Sequence, residues 1–273
     1  MGERKILVKK EKKAYVKDLE REFVLSGFEK HYVETTKDYH TKYGVIKRKD
    51  LLRKPGSKLR VGNHEFIILD PVFLDHYKRI RRLAQIITLK DIGAIIANTG
   101  LTKDSVVLDA GSGSGALACF LGVLAKKVVT YDINEKSVKI TCENVEALGL
   151  KNVFVKQGNI YEYKQVKEKN IDVFVLDVPE PWKAIRTAQK VLKIGGFLVV
   201  YLPNLNQVQR FVKALPEEFL LEKTVEVIER EWLVDEKRIR PKTKDHAHTG
   251  FLTFVRKLRE EDKNRGVNKK KLG

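Results

Sequence analysis

The chain has 273 residues, 42% of them hydrophobic, and 54 Lys+Arg against 36 Asp+Glu give a net charge of +18. That apolar fraction can bury a core, so a wholly disordered chain is excluded, and the length predicts one or two domains. No apolar run reaches the ~18 residues of a membrane span, Met1 to Lys13 lacks the apolar centre of a secretory signal, and Cys119 and Cys142 are too few for a disulfide framework. A cytoplasmic protein with no membrane partner is expected. Abundant Lys and Glu beside a single Met lean toward a thermophilic source.

Residues 1–84 carry 22 basic and 12 acidic side chains, a net of +10, whereas residues 85–257 carry only +5 and residues 258–273 carry +3. A basic module attached to a milder one points to a polyanion, with nucleic acid first. The alternative is the general solubility of a lysine-rich protein. Short β-like runs occur at Phe23–Leu25, His31–Glu34, Gly44–Ile46, Lys58–Val61 and Glu65–Leu69. Turn signals at Lys54-Pro55-Gly56-Ser57 and Gly62-Asn63-His64 punctuate them, predicting a small β-rich domain. Residues 71–89 read as a connector carrying Lys78, Arg79, Arg81 and Arg82, a cluster suited to phosphates.

From residue 90 the pattern alternates. Helices are expected at Ile92–Asn98, Ala116–Ala125, Glu135–Leu148, Pro181–Leu192 and Gln207–Leu215. Strands are expected at Ser105–Ala110, Val128–Tyr131, Val153–Lys156, Val173–Leu176 and Phe197–Leu202, followed by two longer ones, Leu220–Leu233 and Thr249–Lys257. Repeated βα units imply an α/β fold, a mostly parallel sheet with an antiparallel edge. The polar, basic tail 258–273 predicts disorder.

Between the first strand and its helix lies Asp109-Ala110-Gly111-Ser112-Gly113-Ser114-Gly115-Ala116-Leu117. Glycines there permit a sharp turn and close approach of backbone N–H groups to a ligand. Asp132 ends the next strand and is placed to accept the ribose hydroxyls of a nucleoside. Asn159, with Ile160, ends the third strand near an adenine edge. A dinucleotide fingerprint fits if Ala116 replaces its third glycine, but that fingerprint has no place for Asp109. A purely structural loop is the remaining alternative. Asp-x-Gly-x-Gly-x-Gly resembles the first motif of class I S-adenosylmethionine methyltransferases, and the Asp109 carboxylate suits a cationic cofactor.

Asp177 ends the fourth strand, before Val178-Pro179-Glu180-Pro181-Trp182. Ligands of doubly wound sheets bind outside the carboxyl ends of strands, so Asp177 is the candidate catalytic residue. Its alternative role is a helix cap, and Trp182 reads as a core residue.

Together these segments resemble the tRNA (adenine-58, N1) methyltransferase family, from about residue 20 to 257. The likeness rests on Asp109–Leu117, Asp177–Trp182, Tyr201-Leu202-Pro203-Asn204 with Gln207-Val208, Arg230-Glu231-Trp232, Arg240-Pro241 and His248-Thr249-Gly250-Phe251-Leu252. On the N-terminal side, Asp38–Ile46 and Ala84–Ile87 before Lys90-Asp91 are similar too. The resemblance implies a class I methyltransferase domain over 85–257, preceded by a basic β-rich domain over 1–84. It implies S-adenosylmethionine as cofactor, tRNA as partner and the homotetramer of the single-gene archaeal branch. The glycine loop with Ser114–Leu117 would take the methionine end, Asp132 the ribose, Asn159 and Ile160 the adenine, and Asp177 the target base. It also turns His40, His248 and Thr249 toward RNA. Two positions depart from the family: Asn159, where Asp is usual, and Thr88-Leu89, where an aromatic or His precedes Pro.

His246 and His248 have no third ligand nearby, so no metal is expected. Cys119 and Cys142 are expected to be buried in helices. A class I methyltransferase acting on another RNA, a protein or a small molecule leaves the basic N-terminal module unexplained. A non-catalytic RNA-binding subunit would have no need of intact cofactor motifs.

Overall fold

The computed structural model describes residues 4–16, 20–83, 85–235, 238–243 and 248–261. The chain divides into two units after Arg79.

The first unit contains β1 (Arg4–Lys9), β2 (Lys12–Val16), β3 (Arg21–Ser26), β4 (Glu29–Glu34), β5 (Tyr39–Thr41) and β6 (Gly44–Ile46). After a short helix α1 (Arg48–Leu51) come β7 (Lys58–Val61), β8 (His64–Leu69) and α2 (Phe73–Tyr77). An antiparallel sheet runs β4-β1-β8-β7, and β2–β3 and β5–β6 form separate hairpins. Leu7, Val33, Ile46, Leu51, Leu59, Val61, Phe66 and Ile68 form its core. The central strand β1 has no counterpart among the expected strands. Two of its buried residues are lysines, which disguise its apolar pattern. Lys5 pairs with Asp70 at 2.6 Å, and Lys9 with Glu29 at 3.2 Å. Buried charges are tolerated only with such partners.

The second unit begins earlier than the expected break at residue 84. Ile80 is buried, Arg81 N donates to Asn144 Oδ1 at 2.9 Å, and Leu83 N donates to Ser114 Oγ at 2.8 Å. Its elements are α3 (Leu89–Thr99), β9 (Val106–Ala110), α4 (Ala116–Gly122), β10 (Lys127–Asp132), α5 (Glu135–Ala147), β11 (Val153–Gln157) and β12 (Ile171–Leu176). A 3-10 turn, Pro181–Ala184, leads into α6 (Ile185–Val191) and β13 (Leu192–Leu202). Next come α7 (Leu205–Ala214), β14 (Phe219–Glu226), β15 (Trp232–Val234), β16 (Ile239–Pro241) and β17 (Phe251–Lys257).

The sheet order is β11-β10-β9-β12-β13-β17-β14. The first five strands are parallel, whereas β17 runs antiparallel to both β13 and β14. Strands β9 and β12 are buried almost throughout, as continuous apolar runs require in a parallel sheet. Helix α3 stops at Gly100, whose φ of 61° is left-handed, and the Gly100 N–H returns to the Ile96 carbonyl.

Three expectations change. The strand expected over Leu220–Leu233 ends at Glu226, and Trp232–Val234 pairs with Ile239–Pro241 instead. The helix expected from Pro181 opens as a 3-10 turn, and Leu192 belongs to β13. Cys119 is buried, but Cys142 is exposed. The buried stripe of α5 is Ser137, Ile140, Thr141, Asn144 and Val145, and Cys142 falls outside it. His246 and most of the tail expected to be disordered lie outside the described residues.

Candidate active site

The site lies where β9, β10, β11 and β12 end. Gly111 N and Ser112 N both donate to the Tyr131 carbonyl, at 2.9 and 3.2 Å, tying the glycine loop to β10. Gly111 has φ 90°, and an added Cβ would stand 1.9 Å from the Asp177 carbonyl oxygen. Only glycine fits there. Gly113 has φ 53°, but a Cβ there would meet only the Gly111 oxygen, at 4.0 Å. The space beside Gly113 is open.

Asp132 holds the loop's outer turn. Its Oδ2 accepts from Gly113 N at 2.9 Å and its Oδ1 from Asn134 N at 2.9 Å. Carboxylate oxygens have further lone pairs for ribose hydroxyls. Asn159 Oδ1 accepts from Tyr161 N at 3.0 Å, closing a tight turn after β11.

Asp109 is fully buried within β9. Its Oδ2 accepts from Thr130 Oγ1 at 2.5 Å, and its Oδ1 has no hydrogen-bond partner. Burial pushes the Asp109 carboxyl up to about 7, opposed by the Thr130 hydroxyl and aided by the charges of Asp177 and Asp132. Asp177 N donates to the Ala110 carbonyl at 2.9 Å, fixing the end of β12 beside β9. Burial alone raises Asp177 to about 6.

A cavity of about 490 Å³ is lined by Gly111, Gly113, Asp132, Asn159, Ile160 and Asp177, together with Ile133, Tyr161 and Val178–Glu180. A recess of about 40 Å³ carries Asp109, Ser112, Ser114, Ala116 and Leu117, and both spaces include Gly111, Gly113, Asp177 and Gln85. The orphaned Asp109 oxygen, the glycine cradle and the Asp132 carboxylate fit a ligand with a cationic amino-acid end joined to a nucleoside. S-adenosylmethionine has that composition.

Nearly all the residues expected at the cofactor therefore line one connected region. Gly115 does not. Its φ is 74° and an added Cβ would strike Thr141 Cγ2 at 2.6 Å, so it shapes the entry to α4. Gln85, Ile86, Ile87 and Ile133 line the region without having been singled out as cofactor residues. Trp182 packs partly buried against the core, with Arg210 stacked 4.0 Å from its ring. A cleft of about 410 Å³ at the opposite strand ends includes Asp172 and Lys193, which pair with each other.

The residues expected at RNA fall in both units. His40 is exposed on the β5–β6 hairpin. Lys78 and Arg82 are exposed, while Arg79 lies 5.5 Å over the Tyr32 ring. Arg81 is paired with Glu143. His248 Nδ1 meets Glu226 Oε1 at 2.5 Å and its Nε2 meets the Pro203 carbonyl at 2.9 Å; these acceptors, Glu226 first, hold its pKa above the ordinary value. Thr249 Oγ1 accepts from Lys90 Nζ at 2.6 Å and donates to Asp91 Oδ2 at 2.8 Å. The Tyr201 hydroxyl donates to the Thr249 carbonyl at 2.6 Å. His248 and Thr249 thus brace the segment before β17, a role that their spacing did not reveal.

Residues 72–242 match the family described as "tRNA methyltransferase complex GCD14 subunit". The chain belongs to this family. The tRNA (adenine(57)-N(1)/adenine(58)-N(1))-methyltransferase TrmI of Methanocaldococcus jannaschii is 35% identical over 249 residues, covering 80% of this chain and 87% of that one. The tRNA (adenine(58)-N(1))-methyltransferase TrmI of Thermus thermophilus is 32% identical over 226 residues, covering 80% and 88%. Among solved structures, the tRNA (m1A58) methyltransferase TrmI of Aquifex aeolicus aligns with a TM-score of 0.74 at 26% identity, covering 94% of this chain and 98% of that one. A SAM-dependent O-methyltransferase of Thermotoga maritima aligns with a TM-score of 0.77 at 29% identity, covering 96% and 95%. The second unit is a class I S-adenosylmethionine methyltransferase fold.

Proposed function

We propose that the chain methylates N1 of adenine-58 in tRNA with S-adenosylmethionine as donor. The observation that carries the reading is Asp177, a half-buried carboxylate in the cavity wall that accepts no hydrogen bond among the described residues. When bound, the cofactor supplies an electrophilic methyl group. Asp109 would hold its ammonium end and Asp132 its ribose hydroxyls, with Asn159 and Ile160 at its adenine.

Adenine N1 has a free lone pair at neutral pH, so no base is needed to create the nucleophile. Positioning is then a large part of the rate. Asp177 would accept from the exocyclic amino group and stabilise the positive charge that develops on the purine. Its value of about 6 leaves it ionised near neutrality. A base inside folded tRNA must be exposed before it reaches this wall. Lys78, Arg79 and Arg82 are the phosphate contacts of this reading, with His40 beside RNA in the first unit.

We assign the chain to the cytoplasm; no helix of the described residues is long and apolar enough to cross a membrane. A homotetramer completes the proposal. Ile228, Trp232, Val234 and Ile239 are exposed on and beside the β15–β16 hairpin, and burying them between copies would shield them from water. Sedimentation equilibrium tests that assembly.

The test of the reaction is incubation with methyl-labelled cofactor and an unmodified tRNA transcript, followed by digestion to nucleosides. Labelled 1-methyladenosine is expected. A label on a ribose oxygen would favour the second reading, an oxygen acceptor, the class for which the Thermotoga maritima protein is named.

A further inference from the structure

Tyr161 links the cofactor side and the catalytic side of the cavity through two separate hydrogen bonds, one at its backbone N–H and one at its hydroxyl. Asn159 Oδ1 accepts from Tyr161 N at 3.0 Å. The Tyr161 hydroxyl then accepts from Glu180 N at 3.2 Å. Glu180 belongs to the loop that Asp177 begins, and all four residues line the same cavity. The Tyr161 ring is partly buried against the hydrophobic core, which fixes where its hydroxyl stands.

The loop has other anchors, and they bound what Tyr161 can do. Asp177 N is held by the Ala110 carbonyl at 2.9 Å. Gln207 Nε2 approaches the Pro179 carbonyl only at 3.5 Å. The Asp177 backbone is thus fixed at its start, and the loop beyond it is held at Glu180 both by the Tyr161 hydroxyl and by Lys183 N, which donates to the Glu180 carbonyl at 3.0 Å. Hydrogen bonds that hold a carboxylate in its reacting position act on the rate through geometry.

We propose that Tyr161 is a positioning residue. It couples the turn that receives the cofactor's purine to the loop that presents Asp177 to the acceptor base. It touches neither the transferred methyl group nor the nucleophile. The inference rests on the proposed methyl transfer, and deepens it by tying the loop that follows Asp177 to the Asn159 turn.

Tyr161→Phe keeps the ring and removes only the hydroxyl that accepts from Glu180 N. We expect kcat for tRNA methylation to fall roughly five- to tenfold, the worth of one neutral hydrogen bond, with KM for the cofactor changed less than about twofold. In an Asp177→Asn background the same substitution should cost less than about twofold, because residues acting as a unit do not give additive losses. Equal fold-losses in both backgrounds would overturn the proposal. So would a kcat unchanged by Tyr161→Phe in the wild-type background.

A readout without tRNA separates this inference from the function on which it rests. Amide hydrogen exchange at Glu180 should be slowed by cofactor in the wild type, and the slowing should be lost in Tyr161→Phe. If the wild type methylates no tRNA yet Glu180 shows this pattern, the coupling stands and the substrate assignment falls. If Glu180 is slowed equally in both proteins, the coupling falls whatever the substrate.

Discussion

Gly111 and Asp177 touch through their backbones: an added Cβ on Gly111 would lie 1.9 Å from the Asp177 carbonyl oxygen. The glycine loop and the loop that begins at Asp177 therefore share one packed seam.

Gly111→Ala is expected to destabilise the fold itself. The left-handed backbone alone costs a non-glycine residue roughly 1–3 kcal/mol, and the overlap with Asp177 adds to that. Gly113→Val carries left-handed strain as well, at φ 53°, but its Cβ meets open space, so the added side chain projects into the cavity instead of striking the Asp177 carbonyl. Urea titration should show a stability loss in both variants, with the backbone overlap adding to it in Gly111→Ala. Calorimetry should show cofactor binding abolished in a folded Gly113→Val protein. Unchanged affinity in that variant would contradict the placement of the cofactor.

Protonation of Asp109 should govern cofactor affinity. Its carboxyl is raised to about 7 mainly by burial, so below that pH it is neutral and gives a cationic ligand little attraction. Affinity should rise roughly tenfold between about pH 6 and about pH 8, with proton release on binding, if one such group is coupled. Asp109→Asn should remove the dependence. Stability of the ligand-free protein runs the other way. A raised carboxyl favours the folded state below its unfolded value of 3.8, and that contribution is lost as pH rises through about 7. Calorimetry in buffers of different ionisation enthalpy measures the proton count.

Asp177→Asn retains shape but removes charge and offers a donor where an acceptor is required. The single-turnover rate should fall roughly 100- to 1000-fold, as when one preorganised electrostatic partner is lost. Affinity for tRNA should change little. In the wild type, the rate should climb with pH and level off above about 6 as Asp177 ionises. A rate within a few-fold of wild type would remove Asp177 from the chemistry, and a loss confined to affinity would recast it as a binding residue.

Neutralising Lys78, Arg79 and Arg82 together should flatten the log–log salt dependence of tRNA binding by roughly one unit for each phosphate no longer neutralised. Arg81→Gln should have a smaller effect, since Glu143 already pairs with that guanidinium. Filter binding over a salt series gives the slopes. An unaltered slope in the triple variant would show that these cations do not face RNA.

The second unit was largely legible because its strands are continuous apolar runs and its candidate site residues follow strand ends. What escaped reading depends on partners distant in sequence. Strand β1 stayed hidden because Lys5 and Lys9 occupy buried positions, neutralised by Asp70 and Glu29. Thr249 looked like a residue for RNA, yet it closes a buried network with Lys90 and Asp91. Arg81 looked free because Glu143 lies far along the chain. The strand end at Glu226 carries no breaker in the sequence; it falls where β14 stops pairing with β17, at Phe251.

Mapping the modified position decides whether this chain methylates adenine-58. Wild-type protein, labelled cofactor and an unmodified tRNA transcript are compared with the same transcript carrying guanine at the adenine-58 position. 1-Methyladenosine is expected at position 58 in the first transcript, with no label there in the second. Label retained by the second transcript at a site away from adenine-57, or no label on tRNA at all, would contradict it.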